Sequence, residues 1–585
     1  MAKKRVILAT STPENAAEVK GVVGKFFERR FWGVVAAIIL VSGTLEALSA
    51  LRETQTWDEG IHLSAGYAYL TRSDFRWNQE HPPLAKLLSA LPLLLFHPKL
   101  PLTAESWRKL DETQMGIDFL YHNRTSADSL LLAGRAATML LSLIFLAATA
   151  WLIRRRFGPA AAILTVALCA FDPNLIAHAR YVTTDFPVTV FYFAAALLWM
   201  EYLLSGRLRD LVLAALAFAL ALVTKFSALL LLPAMAILYA FRWWQRPSDF
   251  PVRRAAAAGA VVAGITLVTA AVVYWPETLR CWRTAVPPLA ATVNRGNLIG
   301  EALYRAGRWF HLPAHAFLAG LGKVAQHNQG GHASYLLGMR SETGWWYYFP
   351  IVFAVKSTMA ALAATLVLLA AGLTALRQRV RAVPFVWLGL LVPPTIYFLF
   401  SMTSAINIGM RHILPVYPFL YLATAVLLTQ ADRARWAAYA AISLAAFQIA
   451  ECASIFPDYL AFFNALSGGP GRGPHYLVDS NIDWGQDVKK LDNWLRAHGT
   501  NNARVWYFGN AQMDYYGIRA DAFPDPLDEK GWNAIEGYAV SSVTVLEGVY
   551  VSLNQVAPLR FREPIAKVGW SLYVYDFRKP GNGAK

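Results

Sequence analysis

Cysteine is almost absent. The 585 residues hold three, Cys169, Cys281 and Cys452, too far apart for a disulfide framework or a metal-binding spacing. Charge is scarce too: Asp, Glu, Lys and Arg make up 16% of the chain against 56% apolar residues. That balance, with a mean hydropathy of +0.35, excludes a soluble protein of this length. There is no internal repeat and no low-complexity tract. The Gly/Pro stretch 468–474 lacks the Gly-Lys-Ser/Thr ending of a phosphate loop. The first 31 residues are too long and polar ahead of the first apolar run for a cleavable signal peptide, and are expected to be a cytoplasmic tail.

Long apolar runs are what the chain has instead. About eleven approach the length that crosses a hydrocarbon core: 32–50, 129–153, 160–177, 185–204, 210–224, 226–242, 255–275, 350–374, 383–401, 412–430 and 435–453. They are continuous rather than alternating, which points to helices and against a barrel. The expected fold is mainly α: a polytopic membrane helical bundle over 32–453, with a small extracytoplasmic α/β domain over 454–585. The net charge of +16 does not call for nucleic acid. Its arginines cluster in short connections: Arg29-Arg30, Arg154 to Arg156, Arg207 with Arg209, Arg242 to Arg254, Arg377 to Arg381, and Arg433 with Arg435. All fall on one side of an eleven-helix bundle, which is therefore expected to be cytoplasmic. The other face receives the large loops 51–128 and 276–349, the short ones 178–184 and 402–411, Lys225, and the C-terminal region. Trp and Tyr are abundant, as interfacial belts or sugar-stacking surfaces require.

In the C-terminal region, 456–464 reads as an interfacial amphipathic segment and 468–474 as a linker. Residues 476–480 and 505–508 look like strands, and 483–495 like an amphipathic helix with Asp483 as N-cap.

Every unusual polar cluster lies on the presumed outer face. The densest is Thr56–Leu88, which opens on Asp58-Glu59 and closes on His81-Pro82-Pro83-Leu84-Ala85-Lys86. A half-buried carboxylate here can act as general base; an acidic pair can equally cap a helix. His62 shares a helical face with this pair and would permit a metal, but no third ligand is fixed. The two prolines suit the start of a helix, which Pro92 interrupts. Lys86 would stand near headgroup level, to meet a lipid phosphate or simply to snorkel. His178, Arg180 and Asp185 share a short loop at the outer ends of two runs, as phosphate contacts or as anchors. Lys225 interrupts an apolar stretch, and Arg411-His412 open the tenth run. The aromatic stretch 344–350 is a belt or a stacking platform; His327, His332 and Arg340 precede it without an assigned role. Asn123-Arg124-Thr125 matches a glycosylation sequon.

Trp57-Asp58-Glu59-Gly60-Ile61-His62 with the His81–Lys86 motif resembles the first-loop signature of the protein O-mannosyltransferases. Ala179 to Pro187 resembles their second outer-loop motif, and Leu222 to Ser227 their following lysine segment. The wider clan includes the lipid A aminoarabinose transferases, and its fold is the C-type glycosyltransferase fold. The resemblance covers the chain to about residue 245 and is weak for the acceptor. It implies an inverting glycosyltransferase in the cell envelope that takes a sugar from a polyprenyl phosphate. Asp58 matches the catalytic base. Arg180 and Lys86, with Lys225 and Arg411 behind them, would stabilise the leaving phosphate, and Glu59, His81 and Asp185 would shape the pocket. A single lipid phosphate implies no metal and no other cofactor. The expected partners are the lipid-linked donor, the bilayer, and a glycan, lipid or protein acceptor, as in protein O-glycosylation; nucleic acid is not among them. The expected location is a bacterial inner membrane, N-terminus cytoplasmic and C-terminal domain periplasmic or extracellular. The chain lacks the β-trefoil insert of the eukaryotic enzymes, which argues against a protein acceptor. A transporter or flippase, and a non-catalytic relative of the fold, are the competing readings.

Overall fold

The computed structural model describes residues 22–283, 301, 305, 315–378, 383–430, 435–524 and 529–578. The tail before Val22, Arg379, Arg381, Arg433 and most of 284–314 lie outside the described residues.

The apolar runs fold as helices, because in lipid each backbone polar group needs a partner within its own segment. The first is α1 (Val22–Ala50), starting ahead of the expected position. The first outer loop is itself folded, as α2 (Trp57–Arg72), α3 (Leu84–Ala90), α4 (Glu105–Lys109) and α5 (Glu112–Tyr121). Next come α6 (Ala127–Phe157), α7 (Pro159–Ala170), α8 (Pro173–Ala179), α9 (Asp185–Ser205), α10 (Leu208–Leu222), α11 (Leu231–Gln245), α12 (Val252–Val273) and α13 (Trp275–Arg283). After α14 (His315–Gly330) and the hairpin β1 (Ser334–Leu336) and β2 (Met339–Ser341), the bundle closes with five more helices. These are α15 (Tyr348–Lys356), α16 (Met359–Arg377), α17 (Phe385–Ser401), α18 (Val416–Thr429) and α19 (Arg435–Ile455).

Among the described residues seven helices are long and apolar enough to cross a membrane, and α7 with α8, bent by 69°, makes an eighth if the pair is one span. The shorter α10, α17 and α18 complete the correspondence with the expected runs. Gly158, at φ +88°, ends α6, and Pro159 starts α7. The run 350–374 differs from expectation: it breaks at Ser357-Thr358, where the Thr358 hydroxyl caps α16 by accepting from Ala361 N. The arginine-rich turns share one end of the bundle. The Arg154 guanidinium lies 4.5 Å over the Phe31 ring, Arg242 Nε donates to Leu203 O at 2.8 Å, and Arg254 Nη2 donates to Gly206 O at 2.6 Å.

Beyond α19 the structure corrects several readings. Residues 456–464 form no amphipathic helix at an interface. Tyr459, Leu460, Ala461, Phe462 and Phe463 are all buried, and Asn464 Nδ2 donates to Ala354 O and Ser357 O at 2.7 and 2.8 Å. The stretch 468–474 is a packed turn with Gly473 and Pro474 buried, not a loose linker. Residues 476–480 form no strand, and Asp479–Asn481 is a 3-10 turn. Asp483 is not an N-cap: it is buried and accepts from Thr544 N at 2.9 Å. The helix α20 (Val488–Ala497) starts later and buries Val488, Leu491 and Leu495. They face a mixed sheet of β3 (Asn502–Trp506), β4 (Arg519–Asp521), β5 (Tyr538–Ser542), β6 (Ala566–Val568) and β7 (Leu572–Asp576). Its order is β4-β3-β5-β7-β6, with β3 parallel to β4 and β5, and β7 antiparallel to β5 and β6. The small C-terminal unit is therefore α/β, as expected.

Candidate active site

The helix α2 positions the first group. Thr56 N donates to Glu59 Oε2 at 2.8 Å, closing the first turn, and the acidic residues complement the helix dipole. The two adjacent carboxylates then diverge, since successive residues are turned by about 100° around a helix. Glu59 is fully buried. Arg135 grips it with Nε to Oε1 at 2.8 Å and Nη2 to Oε2 at 2.7 Å, and Val182 N donates to it at 3.1 Å. Glu59 therefore lines no substrate pocket, contrary to the resemblance; it is a tie between α2, α6 and the 178–184 loop. Asp58 faces the other way. Its Oδ2 accepts from Arg411 Nη1 at 2.6 Å, its side chain is 22% exposed, and its Oδ1 makes no hydrogen bond among the described residues.

From Arg411 a chain of charges continues. Arg411 Nη1 stands 3.8 Å from Asp185 Oδ2, and Lys225 Nζ contacts Asp185 Oδ1 at 2.5 Å. The Arg411 guanidinium lies 4.3 Å over the Trp484 ring, and its Nε has no hydrogen-bond partner among the described residues. It thus keeps donor capacity for an incoming anion. His81 and His412 stand within electrostatic reach of Lys225 and Asp185. Burial, then His62, Lys225 and Lys86, holds the His81 imidazole well below its usual range, hence neutral. The structure therefore brings together Asp58, His81, Asp185, Lys225 and Arg411.

Two expected phosphate contacts are placed elsewhere. Lys86 is fully buried. Its ammonium donates to Asn78 O at 2.5 Å, Asn78 Oδ1 at 3.1 Å and His81 O at 2.7 Å, which uses all three protons. It closes the 78–81 turn rather than meeting a headgroup. Its backbone is pressed against α2, where a Cβ on Gly66 would stand 2.2 Å from Lys86 O. Arg180 is also fully buried. Nη1 donates to Glu53 Oε2, and Nη2 to Glu53 Oε1 at 3.0 Å and Tyr181 Oη at 3.1 Å. Glu53 and Tyr181 thus take its two Nη groups, while its Nε has no hydrogen-bond partner among the described residues. His62 shares no metal site with Glu59: its Nδ1 is 2.9 Å from Val182 O. Among the described residues no group of three or more His, Cys, Asp or Glu is arranged to hold a metal ion.

Sequence reasoning missed Glu53, Arg135 and Trp484. Arg135 carried a signal, being an arginine inside an apolar run. Trp484 carried none, because its role depends on where the C-terminal unit docks.

A cavity of about 700 Å³ opens between α9, α10, α11 and α12. Its lining is apolar and includes Trp199, Leu222, Leu229, Met235, Tyr239 and Val262. Leu222 and Leu229, which flank Lys225 in the chain, are among its lining residues.

Residues 127–275 match the family model described as dolichyl-phosphate-mannose-protein mannosyltransferase. Among solved structures, the S. cerevisiae protein O-mannosyltransferase Pmt1-Pmt2 complex bound to the sugar donor matches with a TM-score of 0.50. The identity is 11%, over 73% of this chain and 90% of that one. The chain has the fold of the C-type glycosyltransferases. ArnT from Cupriavidus metallidurans bound to undecaprenyl phosphate is similar over 93% of this chain and 97% of its own, at 14% identity and a TM-score of 0.46. The archaeal oligosaccharyltransferase AglB from Archaeoglobus fulgidus is similar over 92% of this chain and 73% of its own, at 12% identity and a TM-score of 0.43. No curated protein matches the chain. Within this fold, the segment 479–487 of the C-terminal unit enters the candidate site. Trp484 packs on Arg411, and Asn481 Oδ1 accepts from Met410 N at 3.0 Å.

Proposed function

We propose that this protein is a membrane glycosyltransferase that moves a sugar from a polyprenyl phosphate to an acceptor hydroxyl, with inversion and with Asp58 as general base. The observation that carries the reading is the chain Asp58–Arg411–Asp185–Lys225. It sets a part-exposed carboxylate with one free oxygen beside two cations. Asp58 Oδ1 takes the proton from the acceptor hydroxyl as that oxygen attacks the anomeric carbon from the face opposite the phosphate. The bond from carbon to phosphate oxygen breaks, and its electron pair stays on the phosphate. Arg411 and Lys225 stabilise the growing charge, aided by low local dielectric. Asp185 holds the two cations together, and neutral His81 completes the wall. The apolar cavity beside Lys225 suits the polyprenyl chain, with its phosphate at the Lys225 end. The donor carries one phosphate, so the scheme draws on no metal. The arginine-rich end of the bundle faces the cytoplasm on the positive-inside rule, which sets the reaction on the opposite face of, in a bacterium, the inner membrane.

Asp58→Asn is expected to lower turnover of polyprenyl-phosphate sugar by about 10²–10⁴-fold with an unchanged thermal midpoint. Purified, folded Asp58→Asn protein that still turns over at the parental rate would sink the assignment.

A further inference from the structure

A second polar cluster adjoins the Asp58–Arg411 pair and has no part in the scheme above. Glu80 Oε2 is 3.3 Å from His327 Nδ1, His327 Nε2 is 3.3 Å from His332 Nδ1, and His332 Nε2 is 3.4 Å from the Tyr550 hydroxyl. Tyr550 in turn donates to Asp479 Oδ2 at 2.9 Å. One hydrogen-bonded row thus draws on the first outer loop, α14 and the C-terminal unit. It lies against the catalytic groups, since Arg411 acts electrostatically on both His332 and Asp479, and Asp58 on His332.

Two features separate this row from the buried ion pairs that hold the fold. It is open: Tyr550 is 45% exposed, and the His327 and Glu80 side chains are 32% and 40% exposed. It is also held in a costly backbone form. Asp479 has φ +58°, a left-handed conformation that is rare for a residue with a side chain and tends to gather at functional sites. The form is imposed from both sides: Thr544 Oγ1 accepts from Asp479 N at 3.1 Å, and Asp479 Oδ1 accepts from Ser480 N at 2.5 Å.

A column of rings runs from the row to the start of α2. The Tyr550 ring stacks on Phe508 at 5.1 Å and 9°, and Phe508 stacks on Trp57 at 5.0 Å and 20°. Trp57 immediately precedes Asp58. A ligand lying along this column would present one end to Asp58 and the other to Tyr550, His332 and Asp479.

We propose that Asp479, His332 and Tyr550 form the acceptor subsite, and that the acceptor is a glycan whose attacking group is a sugar hydroxyl. The proposal rests on the glycosyltransferase reading above. The chemistry of the row selects this class. Sugar hydroxyls both donate and accept, and here they meet carboxylate acceptors, a phenol, and imidazoles that do either. The carboxylates of Glu80 and Asp479 stand at the two ends of the row with the imidazoles between them, so the row itself is no like-charge patch for a phosphate or a polybasic segment. The aromatic column offers flat apolar area beside the polar row, the pairing that fixes orientation in small-ligand sites. The subsite exists only when the C-terminal unit is docked, which gives that unit a direct part in recognition.

The test uses the full chain in nanodiscs, with radiolabelled polyprenyl-phosphate sugar from native membranes. Two acceptor fractions come from cells lacking the protein: a glycan and glycolipid extract, and a delipidated protein fraction. Tyr550→Phe keeps the ring stack and removes one hydroxyl; Asp479→Asn and His332→Gln remove the other polar ends. Each is expected to raise the apparent KM for the glycan fraction by about 10–100-fold, with the donor KM changed less than about twofold. The label is expected in a protease-resistant product. Equal rises in both KM values, a fall in kcat alone, or no change in Tyr550→Phe would overturn the subsite. Label that enters only the protein fraction would overturn the glycan class. Retained turnover in Asp58→Asn would instead sink the base and leave the acceptor KM result standing. Should Asp479→Asn fail to fold, Tyr550→Phe and His332→Gln decide the matter.

Discussion

Glu59 and Arg135 are buried to 0% and 1% side-chain exposure and share two charge-assisted hydrogen bonds. Glu59→Gln, or Arg135→Met, leaves a buried charge without its partner and is expected to cost about 3–5 kcal/mol. Thermal unfolding in detergent checks this, and the paired replacement Glu59→Met with Arg135→Met should recover most of the loss. His62 makes a different prediction. Its Nδ1 hydrogen faces Val182 O at 2.9 Å, and burial pushes the imidazole from 6.5 down to about 4. The unfolded chain takes up this proton near pH 6.5 and the folded chain only near pH 4. Stability is therefore expected to fall as pH drops through that window, by about 3 kcal/mol in all. In His62→Gln the slope of the thermal midpoint over that range should flatten. At this scale the chain shows that Asp58 and Glu59 are special, but not which one faces the pocket. That depends on the rotation of α2 against α6.

Lys490 is the residue through which α20 grips the bundle. Its ammonium meets Asp458 Oδ1, Asp487 Oδ1 at 2.6 Å and Glu53 Oε1 at 3.9 Å. Glu53 also carries Arg180. Burial raises the Glu53 carboxyl, and Arg180 and then Lys490 more than offset this, so it stays below its usual value. Burial has meanwhile pushed the Asp487 carboxyl up to about 7. Lys490→Met is expected to lower stability by about 3–5 kcal/mol and to make the C-terminal unit sensitive to limited proteolysis at neutral pH. Lys490→Arg should largely restore resistance. Several elements were misread because local pattern competes with tertiary placement. Residues 476–480 alternate like a strand, yet they lie against the bundle, where Ser480 Oγ donates to Ile408 O and Lys356 Nζ donates to Asn481 O at 2.7 Å. The aromatics of 456–464 match an interface equally well, but the space beside α8 and α15 takes them in.

In the whole molecule the C-terminal unit is a wall of the candidate site. It sets Trp484 under Arg411 and seats Met410 on Asn481. A chain ending after Ile455 is expected to lose about 10²-fold or more in transfer, since misplacing a catalytic group by about an ångström has that effect. Full activity in such a truncation, assayed in nanodiscs, would refute this wall. The helical bundle, the order of its apolar runs and the clustering of arginines at one end were legible in the sequence. So was the region of the site, because apolar runs of membrane length must satisfy their backbone internally and leave polar clusters only where helices end. A helical membrane bundle with an acid-rich first loop follows from residue order alone. Which charges are free to act follows from packing. Arg411 is 353 residues from Asp58, while Arg180 is paired with Glu53, and Lys86 with Asn78 and His81. A charge buried in a low dielectric is claimed by whichever partner packing brings within reach, and packing, not residue type, sets that choice.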